Sequence, residues 1–140
     1  MVTLPILEDL LESSKVGGTR FMLHKVFHDR SFATEQLLEE LFRTRRMPGA
    51  KEAVVRALRN TVILLSVRKE YVLVDKLESL KLPMMIVWGA RDQSIPVSHA
   101  YQASESTAHV RLHVFGRCGH RPHMEKASEF NSLVLNFLSR

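Results

Sequence analysis

Leu82-Pro83-Met84-Met85-Ile86-Val87-Trp88-Gly89-Ala90-Arg91-Asp92-Gln93-Ser94-Ile95-Pro96 is the stretch on which the reading of the fold turns. Its middle, Met84 to Trp88, is an uninterrupted apolar run of strand length, entered through a proline and left through a glycine. A strand without alternation has no wet face, so this one is expected to be covered on both sides, as in a parallel sheet packed between helices. Pro96 to Ser104 follows as a helix, with Pro96 at the tolerated first turn. Val110-Arg111-Leu112-His113-Val114-Phe115 largely alternates and reads as a second strand. Phe130, Leu133, Val134, Phe137 and Leu138 then recur at the spacing of an amphipathic helix. Strand, helix, strand, helix in this order is a βαβα unit with parallel strands and a right-handed crossover. Two parallel strands are too few to be stable alone, so the unit is expected to belong to something larger.

Upstream of Lys81 the periodicity is helical. Thr19 to Asp29 reads as a short helix. Thr34 offers an N-cap hydroxyl, with Glu35 in the first turn behind it. Leu37, Leu38, Leu41 and Phe42 form an apolar stripe, and Arg43, Arg45 and Arg46 close that helix before Pro48-Gly49 breaks it. Ala53, Val54, Ala57, Leu58, Thr61, Val62 and Leu65 repeat as one buried helical face, which predicts a helix continuing to Leu65. A shorter helix is expected from Val74 to Leu80. The chain therefore divides into a helical region, residues 1–80, and the βαβα unit, residues 81–140.

Composition narrows the function classes. Of 140 residues, 45% are hydrophobic and 25% charged, which suits a globular domain and excludes a disordered or fibrous chain. Apolar runs such as Val62 to Leu65 and Met84 to Trp88 are far short of the roughly 18 residues of a membrane span. Met1 to Asp9 lacks the basic start of a secretory signal. The lone cysteine, Cys118, allows no internal disulfide and suits a reducing compartment, so a cytoplasmic location is expected.

Chemistry is expected at the ends of the two strands, where ligands gather in open α/β sheets. Gly89-Ala90-Arg91-Asp92 leaves the first strand and Gly116-Arg117-Cys118-Gly119-His120 leaves the second. Neighbouring strands lie about 4.8 Å apart, close enough for the Asp92 carboxylate to meet the His120 imidazole. An aspartate accepting from one ring nitrogen fixes the tautomer and leaves the other nitrogen as a base. On the residues alone, Asp92 also reads as a turn or N-cap residue. His109, His113, His120 and His123 do not suggest a metal site, since His109 and His113 would stand about 13 Å apart along a strand. Cys118 reads as a small buried residue, because no strand-to-helix elbow presents it as a nucleophile. Arg43, Arg45, Arg46, Lys51, Arg56 and Arg59 are interspersed with Glu35, Glu39, Glu40 and Glu52, which marks solvated helix faces and no nucleic-acid surface. Met22, Phe27, Phe32, Leu38 and Phe42 are candidates either for a pocket lining or for ordinary core.

The Leu82–Pro96 stretch resembles the "PxLxxWGxxDxxxP" segment of α/β-hydrolases. Arg111 to His120, with Glu125, Glu129-Phe130-Asn131, Val134 and Phe137-Leu138, resembles the last strand, histidine loop and last helix of the same family, in the variety of the meta-cleavage-product (carbon–carbon bond) hydrolases. The resemblance implies an α/β fold. More narrowly, it implies a C-terminal fragment of an α/β-hydrolase, a helical lid over residues 1–80 followed by the βαβα part of the core. It further implies that Asp92 is the acid and His120 the base of a Ser-His-Asp triad that hydrolyses an ester or carbon–carbon bond, with no cofactor and no metal. The family's G-x-S-x-G elbow has no counterpart here. Ser13-Ser14-Lys15-Val16-Gly17-Gly18 has the letters without the spacing. The chain alone is therefore expected to be inactive, with a small-molecule substrate only in a complete enzyme. The free edge of the Met84–Trp88 strand is expected to recruit a second copy or the missing N-terminal half. A non-catalytic interaction module derived from a hydrolase is the alternative. No nucleic-acid or membrane partner is expected.

Overall fold

A computed structural model describes residues 16–63 and 66–139. They group into two units, one of residues 16–23 and Ala33–Leu73, the other of His24–Phe32 and 74–139. The change of composition near Lys81 thus falls a few residues beyond a unit boundary, and residues 24–32 pack with the later unit. Met1 to Lys15, with the signal reading and the Ser13–Lys15 letters, and Leu65 lie outside the described residues. Among the described residues no helix is long and apolar enough to cross a membrane.

In the first unit, α1 (Val16–Val26) contributes its residues up to Leu23. It ends at Val26, earlier than its periodicity suggests, with the Val26 carbonyl accepting the His120 N–H, and an Asx turn follows in which the Asp29 carboxylate accepts the Ser31 N–H at 2.9 Å. α2 (Glu35–Arg45) begins where Thr34 predicts, with Thr34 Oγ1 accepting the Leu37 N–H at 3.2 Å. Arg20 grips Glu35 with both guanidinium arms, and Arg45 donates to the buried Thr19 hydroxyl at 3.1 Å. Gly49 turns the chain at φ +80, a conformation that glycine adopts without a Cβ penalty. α3 (Ala50–Thr61) follows.

Two expectations for this unit are corrected. α3 stops at Thr61, and Val62–Ile63 (β1) pairs antiparallel with Ser66–Val67 (β2). Consecutive β-branched residues favour the strand, and the Thr61 carbonyl accepts the Arg68 N–H at 2.8 Å in place of a helical donor. Ala53, Val54 and Ala57, expected to be buried, are exposed, since an amphipathic pattern records what a helix is suited to bury and not what lies over it. The five candidates for a pocket lining or core divide between the two units. Phe27 and Phe32 stack in the second unit with ring centroids 5.9 Å apart, while Leu38 and Phe42 line a cleft in the first.

The second unit holds a two-stranded parallel sheet, β3 (Met84–Gly89) beside β4 (Val110–Phe115), paired from Met84↔Val110 to Gly89↔Phe115. α4 (Ser98–Glu105) connects them; α5 (Pro122–Glu125) and α6 (Ala127–Leu138) follow. Phe27, Ala100, Phe115 and Cys118 form the buried core. The short helix expected from Val74 to Leu80 is a 3₁₀-helix over Val74–Ser79, followed by an i→i+3 bond from the Leu80 N–H to the Leu77 carbonyl. Met84 to Trp88 are half-buried where full cover is expected, and Leu138 is 72% exposed. A sheet of two strands is too narrow to shield both faces of either one.

The cap at Thr34 gives a direct stability test. Thr34→Ala removes one donor's partner at the start of α2 and should cost about 1 kcal/mol in urea unfolding, whereas Thr34→Asn should retain most of that stability.

Candidate active site

The loops leaving β3 and β4 are tied together through their backbones. The Ala90 N–H donates to the Phe115 carbonyl and the Arg91 N–H to the Cys118 carbonyl, each at 2.9 Å. Gly89 makes this possible: a Cβ there would strike the carbonyls of Gly119 and Cys118. Gly119 is equally constrained, since its Cβ would lie 2.5 Å from the Val26 carbonyl oxygen and 2.7 Å from the His28 nitrogen. The His120 N–H then donates to the Val26 carbonyl at 2.7 Å.

This stitching brings Asp92 and His120 together, 28 residues apart in sequence, with His120 Nδ1 donating to Asp92 Oδ2 at 2.8 Å. The other carboxylate oxygen accepts the N–H groups of Ser94 at 2.8 Å and Ile95 at 2.9 Å. Asp92 is thus both the turn residue and the partner of the imidazole. Its side chain is 3% exposed and that of His120 is 36% exposed. Trp88 Nε1–H donates to the Ile95 carbonyl at 3.2 Å, which ties the strand to the far side of the aspartate loop.

Burial pushes the Asp92 carboxyl upward, but the hydrogen bonds from His120, Ile95 and Ser94, with the imidazolium charge, outweigh it and hold the group below the usual carboxylate range. The hydrogen bond to Asp92 raises His120 above an ordinary histidine, against the opposing effect of burial. An ionised carboxylate only accepts, so the Nδ1 proton is fixed. The lone pair of the neutral ring then stands on Nε2, which is the arrangement of a positioned general base.

Two further side chains shape the histidine loop. Glu125 Oε1 accepts the Gly119 N–H at 2.6 Å and Oε2 accepts the Asp29 N–H at 2.8 Å. Nothing local in the sequence signals this role, because one of its partners lies 96 residues away. Cys118 is fully buried, and burial together with the nearby Glu125 carboxylate pushes its thiol up to about 12. The remaining histidines are dispersed: His109 Nε2 meets the Leu80 carbonyl at 2.7 Å, His113 packs edge-on against Phe115, and His123 against Phe130. Among the described residues no group of three or more His, Cys, Asp or Glu is placed to hold a metal ion.

No family model matches the chain. Over 138 residues, 98% of its length, it is 32% identical to a 2-hydroxy-6-oxononadienedioate/2-hydroxy-6-oxononatrienedioate hydrolase of a Pseudomonas species, covering 47% of that protein. The hydrolase of the same name from Burkholderia vietnamiensis is 28% identical over 96% of this chain and 46% of its own length. Among solved structures, the meta-cleavage product hydrolase of Pseudomonas fluorescens IP01 superposes with a TM-score of 0.75 at 26% identity, over 89% of this chain and 46% of that one. The chain spans about half the length of the relatives it matches.

Two measurements test the site. A histidine whose folded value is raised adds stability that is fully present below its unfolded value, about 6.5, and is lost as pH rises through the folded value. A carboxyl whose folded value is lowered adds stability present above about 3.9 and lost as pH falls through its folded value. The pair therefore contributes most between about pH 4 and 6.5. His120 should titrate by NMR above the ordinary histidine range, and Asp92→Asn should bring its midpoint down; an unchanged midpoint would contradict the pairing. Separately, Cys118 should resist iodoacetamide at pH 8 in the native chain and react fully once unfolded, as read by intact mass.

Proposed function

Because this chain belongs to the α/β-hydrolase family, we propose that Asp92 and His120 are the acid and base of a Ser-His-Asp relay. Its fold is a C-terminal portion of the α/β-hydrolase architecture, helices followed by two parallel strand–helix units. The observation that carries the proposal is the 2.8 Å contact between Nδ1 and a buried carboxylate at the carboxyl ends of adjacent parallel strands. In the relay, Nε2 takes the proton of an attacking serine hydroxyl and later returns one to the leaving group. Asp92 holds the ring in the required tautomer and stabilises the imidazolium that forms.

The serine comes from another segment, as this chain holds no G-x-S-x-G elbow. Without the nucleophile and its oxyanion donors the isolated chain is inactive. The helices of the first unit serve as the lid of the complete enzyme. The substrate class is that named for the relatives, a 2-hydroxy-6-oxo dienoate, and the bond proposed to be hydrolysed is a carbon–carbon bond. The binding surface for the nucleophile-bearing segment is the outer edge of β3, whose N–H and C=O groups have no strand partner among the described residues.

Reconstitution tests the relay. Mixed with the amino-terminal half of a meta-cleavage product hydrolase, the chain should gain turnover of a 2-hydroxy-6-oxononadienedioate, and His120→Ala should lower it by about 10³-fold or more. Undiminished turnover in an assembled His120→Ala complex would refute the assignment. Light scattering on a sizing column checks the edge: the mixture should elute as a one-to-one complex, and a chain that only pairs with itself would favour the non-catalytic reading.

A further inference from the structure

A cleft of about 660 Å³ opens between the loops that follow β3 and β4, with His28 at its side. Its walls are His28, Arg91, Asp92, Gln93 and Arg117, and His120 is not among them. We propose that this cleft binds a small oxyanion, a carboxylate or phosphate group, between the guanidinium groups of Arg91 and Arg117.

The charge balance favours an anion. Arg91 and Arg117 are exposed, and neither forms an ion pair with any described residue. Asp92 is the one acidic residue of the lining, and it is 3% exposed with both oxygens already receiving N–H groups. What the cleft presents to solvent is therefore cationic, with the Gln93 amide as a further donor. Planar guanidinium forks match the oxygens of carboxylates and phosphates, often two at a time.

The backbones that carry these groups are held in place. Arg91 is tied to the histidine loop by its N–H on the Cys118 carbonyl, one residue from Arg117. His28 is held by the close approach of its nitrogen to Gly119 and by its neighbour Asp29, which donates to Glu125. A site on tied backbones loses less freedom when a ligand arrives than one on independent loops. The neighbouring cleft shares His28 and Arg117 but sets Asp29 and Glu125 among Arg30 and Lys126, so its charge is mixed.

The inference involves no turnover, so it fails separately from the relay. The chain alone is titrated with sodium succinate and with sodium phosphate at constant ionic strength, following backbone amides and arginine Nε–H groups by NMR. Saturable shifts centred on Arg91, Gln93 and Arg117 are expected for at least one anion, and the tighter of the two identifies the group. The double variant Arg91→Gln, Arg117→Gln changes exposed side chains only and should keep its fold while weakening binding about tenfold or more. Arg56→Gln on α3 should leave binding unchanged. Shifts that never saturate and spread over every exposed arginine, or an affinity unchanged in the double variant, would overturn the proposal.

Discussion

Where the two loops leave the sheet, backbone packs directly on backbone, and that approach is open only because residues 89 and 119 lack side chains. Gly89 sits against the carbonyls of Cys118 and Gly119; Gly119 in turn sits against Val26 and His28. Every other feature of the site follows from this contact. The two inter-loop hydrogen bonds close over it, the imidazole arrives within reach of the carboxylate, and residues 24–32 are drawn into the second unit. The glycines supply closeness, and the side chains around them supply direction. Trp88 secures one end of the aspartate loop and Glu125 secures the turn before the histidine.

Two carboxylates stand near this junction and their surroundings give them different work. Asp92 is nearly removed from solvent, and burial alone would favour its neutral form. Three N–H groups converge on it and reverse that preference, so it remains a charge for the imidazole to face. Glu125 spends its oxygens on two backbone N–H groups from distant segments and so acts as a brace. The same brace lies beside Cys118 and helps keep its thiol protonated. A thiol in that state is a packing group, which suits its position beneath the loop.

Much of this was legible in the residues, and the reasons differ from element to element. β4 runs from Val110 to Phe115 as its alternation indicates, and α2 starts behind Thr34, because strand pattern and N-cap chemistry are local signals. The Asp92–His120 pair was also readable, since parallel neighbours bring their carboxyl-end loops together whatever the connection between them. Reading failed where a non-local bond decided the outcome. α3 ends at Thr61, whose carbonyl finds Arg68 across a hairpin, and α1 ends at Val26, whose carbonyl accepts the His120 N–H from a distant loop. Glu125 could not be recognised as a brace from its neighbours alone, for one of its partners enters from the other end of the chain.

Burial was the least legible property, and its failure has a physical meaning. Met84 to Trp88 carry the unbroken apolar pattern of a strand enclosed on both faces, yet they are only half-covered. The outer edge of β3, opposite β4, has no strand partner among the described residues. A parallel strand added there would lie about 4.8 Å from β3, and its carboxyl end would open toward the same side as the Asp92 loop. Such a strand would also widen the sheet, and a wider sheet carries the flanking helices that cover both faces of a strand.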